Sequence, residues 1–407
     1  MSSPSELSTV RHATGGATDA LRRNNLATVL GLVHRDGALS RSDLTRLTGL
    51  NRSTVGDLVG ELAALGLVVV DESPASVAEP GVRAARGRPS PLVRVSDQVA
   101  AVAVNPEVDA VIIGLVGLGG RVLKRIRVET ASARSVGETV GLASAGIAGM
   151  LAGETGIRVA GIGVAVPGQV RLSDGMVREA THFGWVDEPL AAMLGESTGL
   201  RVWAANAAVL GLRAESAFGA GRGIDDLVYM IGGASGIGGG GISGGRLLTG
   251  ASGYAGEFGH TFVRSDGRAC PCGARGCLEA EVTQAELLAA VGLDSAQAAE
   301  LADRLIATDD PVARAVVERQ YEFLRIATRS AVNVFNPSVV VLGGFLAALY
   351  RGAQAHGAPD VLGDVIHSSR DGVAVTEALL GTDQMLIGAA ELVFAELIAD
   401  PARALAA

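Results

Sequence analysis

The cysteines are the feature of this sequence that most constrains its fold. All three of them, Cys270, Cys272 and Cys277, lie within eight residues, and His260 stands just upstream. One imidazole nitrogen and three thiolates form a Cys₃His set, which suits tetrahedral Zn²⁺. Cys270 and Cys272 are too close in sequence for a relaxed mutual disulfide. The cluster predicts a closed, structural zinc site; the alternative is three buried free thiols beside a core histidine.

Length and composition indicate a soluble α/β protein. A chain of 407 residues favours two or three domains, and 48% hydrophobic with 19% charged residues is ordinary for such proteins. No uninterrupted apolar run approaches the ~18 residues of a membrane span, and the first residues lack the apolar region of a secretory signal. We therefore expect a cytoplasmic protein, in which cysteines stay reduced.

The charge is distributed unevenly along the chain. Residues 1–100 contain eleven arginines and ten acidic residues, whereas the remaining residues carry 23 basic and 33 acidic side chains. An acidic body repels nucleic acid, so only the N-terminal part is suited to contact it. The single lysine, Lys124, means that arginines, hydroxyls or backbone amides would have to make phosphate contacts.

The N-terminal part has the pattern of a winged helix–turn–helix. A first helix with an apolar stripe ends near Gly37, and a second begins at an N-cap, Ser40, with Asp43 in the acidic position of a capping box. Gly49 marks the turn, and Asn51 caps a third helix. An apolar strand and a polar, arginine-rich loop follow. We expect residues 1–20 to be disordered, and residues 21–95 to form the domain.

In this arrangement the third helix would enter the major groove of DNA with its first turn. Arginine can read guanine edges, while serine and threonine reach phosphates or bases. The arginine-rich loop, the wing, adds Arg83 as a further cation. The candidate DNA-binding residues are Ser40, Arg41, Asn51, Arg52, Ser53, Thr54, Arg86 and Arg88. The alternative is a helical protein-interaction domain with solvated arginines.

The body, residues 96–407, alternates strand and helix patterns. This alternation predicts sheets flanked by helices, in two α/β lobes around a cleft. We assign residues 96–205 with the C-terminal helix to one lobe and 206–380 to the other. The glycine-rich run beginning at Gly232 is expected to be a long loop between two strands, either a phosphate cradle or turn geometry alone.

These motifs give the chain a family resemblance. "GIGVAVPGQV", "GIGGGGISGGRLLTGASGYAGEFGH", "CPCGARGCLE" and "NPSVVVLGG" resemble the ROK (repressor, open reading frame, kinase) family, specifically its transcriptional regulators. The resemblance extends from the winged head to the C-terminal helix. It implies an actin-like, hexokinase-like two-lobed ATPase fold, a double-stranded DNA operator and a sugar effector. DNA-binding regulators of this kind dimerise on paired half-sites, so we expect a homodimer or homotetramer.

The resemblance also implies a sugar pocket. Its residues would be Glu257, His260 and Glu279, with Asn206 as the pocket asparagine. Paired carboxylates suit vicinal hydroxyls, since each accepts two hydrogen bonds. Trp185 either stacks on a sugar face or packs in the core.

Two parts of a sugar kinase are missing. In ROK kinases an aspartate that acts as general base follows the pocket asparagine, and here that position is Ala207. The glycine pair of the first phosphate loop is replaced by a stretch that contains Glu107 and Asp109. The sequence thus favours a sugar-responsive repressor without kinase activity. A sugar kinase with an appended helical domain and a DNA-binding regulator without ligand are the alternatives.

Overall fold

The computed structural model describes residues 13–71, 90–130, 132 and 134–404. Within these ranges, no helix is both long enough and apolar enough to span a bilayer. The first helix begins at Ala13, earlier than the predicted domain start at residue 21, so the expected disorder of residues 1–20 does not hold from Ala13 onward. Residues 1–12 lie outside the described part.

Residues 13–95 form the head, three helices and a small antiparallel sheet with strand order β1-β3-β2. Its elements are α1 (Ala13–Asp36), β1 (Leu39–Ser40), α2 (Arg41–Thr48), α3 (Arg52–Ala64), β2 (Val68–Asp71) and β3 (Leu92–Val95). This is the element order predicted for a winged helix–turn–helix. The predicted wing residues Arg83, Arg86 and Arg88 lie outside the described residues.

Local capping sets the helix boundaries of the head. The Ser40 side chain accepts the N–H of Asp43, and the Asn51 side chain accepts the N–H of Thr54. Gly49 ends α2 in the left-handed region, at φ 70°, which glycine adopts without steric cost. The predicted caps and turn are confirmed. Leu47 of α2 is 45% exposed and lines a groove beside α1 rather than the core.

The first lobe is a five-stranded sheet, order β11-β7-β4-β5-β6, in which β4, β5 and β6 are antiparallel and β7 and β11 join in parallel. A three-stranded sheet, order β10-β9-β8, stands beside it. The elements are β4 (Val99–Pro106), β5 (Ala110–Gly117), β6 (Arg121–Glu129), α4 (Val136–Leu151), β7 (Arg158–Val166), β8 (Gln169–Arg171), β9 (Met176–Ala180), β10 (Trp185–Glu188), α5 (Leu190–Thr198) and β11 (Val202–Asn206).

The helix α6 (Ala207–Phe218) follows, and the second lobe has a sheet of order β14-β13-β12-β15-β16. Its strands and helices are β12 (Leu227–Gly233), β13 (Gly236–Ser243), β14 (Arg246–Leu247), α7 (Leu278–Glu281), α8 (Gln284–Ala290), α9 (Leu301–Ala307), α10 (Pro311–Phe335), β15 (Val339–Gly344), α11 (Phe345–Ala355), α12 (His367–Arg370) and β16 (Ala374–Glu377). Three short 3₁₀ helices cover Phe258–His260, Ser295–Glu300 and Gly381–Asp383.

The two lobes repeat one topology. In each, three consecutive strands form an antiparallel meander, and two later strands add in parallel beside the first of the three. The chain ends in α13 (Gln384–Ala399) and α14 (Pro401–Ala404). Helix α13 returns to the first lobe and packs on β4, β7 and α6. The sequence assigns the C-terminal helix to this lobe.

The glycine-rich run is a strand, not the predicted long loop. Only Ala234 and Ser235 turn between β12 and β13, and the glycines of β13 pair in register with β12. A Cβ on Gly238 would come within 2.6 Å of Ala208, and one on Gly240 within 2.8 Å of Leu212. The glycines are therefore needed for the close packing of α6 on this strand.

The head and the first lobe share one hydrophobic core. Apolar residues of α1, including Val29 and Val33, belong to the same buried cluster as Phe394 of α13. His34 sits within this junction and is 2% exposed. The N–H of Gly119 donates to its Nδ1 at 2.9 Å, so Nε2 carries the proton of a neutral ring and donates to Glu391 at 3.1 Å. The head is thereby fixed to α13 by packing and by hydrogen bonds.

Candidate metal centre and ligand cleft

The four predicted metal ligands converge. The ligand atoms of His260, Cys270, Cys272 and Cys277 all lie within 4.8 Å of one another. Cys272 and Cys277 are 3.8 Å apart at sulfur, and the Cys270 sulfur is 3.7 Å from Nδ1 of His260. Zn–S bonds of ~2.3 Å in a tetrahedron place two sulfurs ~3.8 Å apart. The donor set and its spacing therefore fit one tetrahedral Zn²⁺.

A small closed hairpin positions the ligands. Phe262 pairs with Cys277 and Ala269 with Arg275 as isolated antiparallel bridges. Gly276 has φ 72°, and a Cβ there would lie 1.8 Å from the carbonyl oxygen of Arg264, so glycine is required for the return of the chain to Cys277. Glu281 is buried in α7, and its carboxylate accepts the N–H of Arg268 at 2.6 Å. This hydrogen bond connects the hairpin to α7.

An open cleft lies between the lobes. Asn206 and Gln169 line it from the first lobe, and Glu257 lines it from the second. The amide of Gln169 donates to Glu257 at 3.4 Å. Burial is the main cause that raises the pKa of Glu257. Glu257 thus lies where a carboxylate could accept hydrogen bonds from a ligand's hydroxyl groups.

Glu279 lies in the first turn of α7, two residues after Cys277. Its carboxylate accepts the N–H of Ile237 at 3.2 Å and lies 4.0 Å from Nδ1 of His260. His260 turns Nδ1 toward the Cys270 sulfur, which leaves Nε2 for a second partner. The structure therefore brings Glu257, His260 and Glu279 to one region, as the sequence predicted.

His182 lies against Glu279, a neighbour that the sequence did not reveal. Its Nε2 lies 3.5 Å from Glu279, which is long for a hydrogen bond, and it has no other partner among the described residues. The contact with Glu279 raises the pKa of His182. Burial opposes ionisation of Glu279, but His182 and the Ile237 N–H outweigh it and lower its pKa. A Cβ on Gly236 would lie 2.3 Å from Glu279, so a glycine here admits this pair.

Two further predictions concern the first-lobe side of the cleft. Asn206 lines it, but its side chain is occupied: Oδ1 accepts the N–H of Val209, and Nδ2 donates to the carbonyl of Gly168 at 2.9 Å. Ala207 begins α6 and is buried. Trp185 does not face the cleft; it is 2% exposed, and its indole N–H donates to the carbonyl of Arg134. Core packing is thus the correct reading of Trp185.

On the head, the predicted DNA-binding residues divide into two groups. Ser40 and Asn51 use their side-chain oxygens as helix caps. Arg52 and Ser53 are exposed at the first turn of α3, and Thr54 is half-buried beside them. Arg41 is half-buried in the first turn of α2. The exposed set therefore centres on the N-terminal turn of α3.

Two lobes of the same topology around a cleft define the actin-like, hexokinase-like class of fold, here with an added winged head. Within that class, the profile of the ROK family matches residues 102–396, so the chain belongs to the ROK family. The predicted family and fold are both confirmed.

Three relatives describe this membership further. A xylose repressor of Caldicellulosiruptor bescii is 28% identical over 79% of this chain and 83% of its own length. A glucokinase of Thermotoga maritima is 32% identical over 57% of this chain and 77% of its own. The crystal structure of a ROK family transcriptional regulator, a homologue of the E. coli MLC protein, matches with a TM-score of 0.71. That match covers 96% of this chain and 100% of the other, at 22% identity.

Proposed function

We propose that this protein is a sugar-responsive transcriptional repressor. The head would bind a double-stranded DNA operator, and the cleft would bind a sugar or sugar derivative that changes operator affinity. The observation that carries the proposal is the head itself: α3 presents an exposed first turn, while the head is docked on the lobes through one shared core. The repressor-named relative aligns over 79% of the chain, and the glucokinase over only 57%.

The junction supplies a route from cleft to head. Helix α13 touches the second lobe at Gln384, which accepts a hydrogen bond from the buried Tyr229 at 2.6 Å. Two turns further along, Glu391 holds His34 of the head. A sugar that favours one arrangement of the lobes would therefore displace α13 and the head together, as allosteric coupling requires.

The cleft suits binding without catalysis. Glu257, Glu279 and His260 offer acceptors and a ring nitrogen to sugar hydroxyls. Ala207, at the position where ROK kinases have their general base, cannot accept a proton. The kinase alternative would need another acid at the reactive hydroxyl. Zn²⁺ held by His260 and the three cysteines would be structural, since protein ligands fill all four positions.

The remaining proposals follow from DNA recognition. One head reads one half-site, so we propose that a homodimer or homotetramer binds paired half-sites. Anionic phosphates would also be attracted to the N-terminus of α3, because the positive end of the helix dipole lies there beside the exposed Arg52.

Replacing Arg52 with alanine should weaken specific operator binding by ~1–3 kcal/mol if its guanidinium reads a base. The operator is obtained by selection from fragmented genomic DNA and its affinity measured by fluorescence anisotropy at fixed salt. Arg329→Ala is the matched control, because it removes an exposed arginine from α10 in the second lobe. Unchanged affinity and sequence preference in Arg52→Ala would remove this residue from the interface.

A further inference from the structure

The lobes are joined at two hairpin turns. Glu107 stands where β4 turns toward β5, and Ser235 lies in the turn between β12 and β13. The Ser235 hydroxyl donates to the Glu107 carboxylate at 2.5 Å and accepts the N–H of Val108 at 3.1 Å. Asn105 donates to the other Glu107 oxygen at 3.3 Å. One carboxylate thus bridges the two lobes.

This bridge belongs to a region with more acidic than basic side chains. Glu107, Glu257 and Glu279 interact electrostatically with one another's surroundings. His182, 3.5 Å from Glu279, is the imidazole that offsets part of this negative charge. A divalent zinc ion with three thiolates adds a further net negative charge. No arginine or lysine is among the described residues that line the cleft. Arg127 lies near the β4–β5 turn, but its guanidinium donates to the Asp109 carboxylate at 2.8 Å.

Phosphate recognition needs the opposite arrangement. Proteins hold phosphates with free backbone N–H groups, helix N-termini, or arginine and lysine. At this turn the N–H of Val108 is already used by Ser235, and the Glu107 carboxylate fills the space between the turns. A phosphate placed here would break the bridge and lie beside a like charge, which costs several kcal/mol.

We propose that the effector is a sugar without a phosphate group, either uncharged or carrying an amino group, and that Glu107 excludes phosphorylated sugars and nucleotides. This inference rests on the proposed function, since it names the chemical class of the ligand. Glu107 borders the predicted sugar residues through Ser235, because the next residue, Gly236, lies directly against Glu279. Burial raises the pKa of Glu107, against the hydrogen bonds from Ser235 and Asn105. Its surroundings are thus poorly solvated, and a phosphate there would lose its hydration as well.

The test uses the full-length protein and two matched ligand pairs, glucose with glucose 6-phosphate and glucosamine with glucosamine 6-phosphate, together with xylose. Binding is measured by calorimetry. We expect at least one unphosphorylated sugar to bind, and its 6-phosphate, where the pair provides one, to bind at least ~30-fold more weakly. In Glu107→Gly, which removes both the charge and the side chain, that discrimination should fall several-fold.

Two controls separate the contributions. Glu196→Gln removes an exposed carboxylate of α5 and should keep full discrimination. Ser235→Ala breaks the bridge but keeps the Glu107 charge, so this variant should keep most of the discrimination against the 6-phosphate. A 6-phosphate that binds the unaltered protein as tightly as its parent sugar would overturn the inference and leave a sugar-responsive repressor standing. Binding of none of the five sugars would overturn both proposals.

Discussion

A Cys277→Ser variant should lose its bound metal and much of the stability of the second lobe. Serine is a poor zinc ligand, and a structural zinc site contributes on the order of 10 kcal/mol of binding free energy. The cysteine hairpin is flanked by Phe258, Val263 and Leu278, which belong to the core of that lobe. We expect metal content to fall from about one zinc per chain to near zero, and the melting temperature to drop by about 5–10 °C.

Metal content is measured by mass spectrometry on protein purified without added zinc, and unfolding by calorimetry. Arg275→Ala is the control, because Arg275 is an exposed residue of the same hairpin and contributes no ligand. Cys272→Ser tests the one exposed ligand in the same way. Equal zinc content in the serine variants and the unaltered protein would refute the ligand assignment.

A Glu257→Gln variant should bind the effector ~10–100-fold more weakly. Hydrogen bonds to a charged acceptor contribute about 1.5–3 kcal/mol, and glutamine keeps the size of the side chain while removing the charge. Among the described residues, Glu257 bonds to Gln169 and lines the cleft away from the head, so operator affinity without sugar should stay within about twofold. The variant would therefore remain a repressor that responds only to much higher sugar concentrations.

Calorimetry gives the sugar affinity, and anisotropy with labelled operator gives the DNA affinity. Glu300→Gln, an exposed carboxylate in the second lobe, is the matched control for the loss of one charge. If Glu257→Gln bound sugar as tightly as the unaltered protein, the cleft assignment would be wrong, although the head would still bind DNA.

Local signals made much of this structure predictable from sequence. The caps Ser40 and Asn51 act on N–H groups three residues away, so their pattern is visible in a short window. The cysteine cluster is equally local, since three of its four ligands lie within eight residues. The alternation of strands and helices set the fold class, and the family motifs identified Glu257 and Glu279 as neighbours in space.

Features that depend on distant contacts escaped sequence reasoning. His34 and Glu391 are 357 positions apart, and nothing local marks them as partners. His182 stands in the turn between β9 and β10, and only the tertiary fold brings it to Glu279. The glycine run reads as a loop by composition, yet the packing of α6 on β13 makes it a strand. For Trp185 the sequence left two alternatives open, and only its burial in the fold decides for core packing.

The most direct test of the account is the operator affinity of the full-length protein, measured by anisotropy as an unphosphorylated sugar that binds the cleft is titrated in. The account predicts that the dissociation constant rises with sugar until the cleft is saturated, and that Glu257→Gln shifts this curve to higher concentration. An operator affinity that stays constant while the sugar demonstrably occupies the cleft would contradict it.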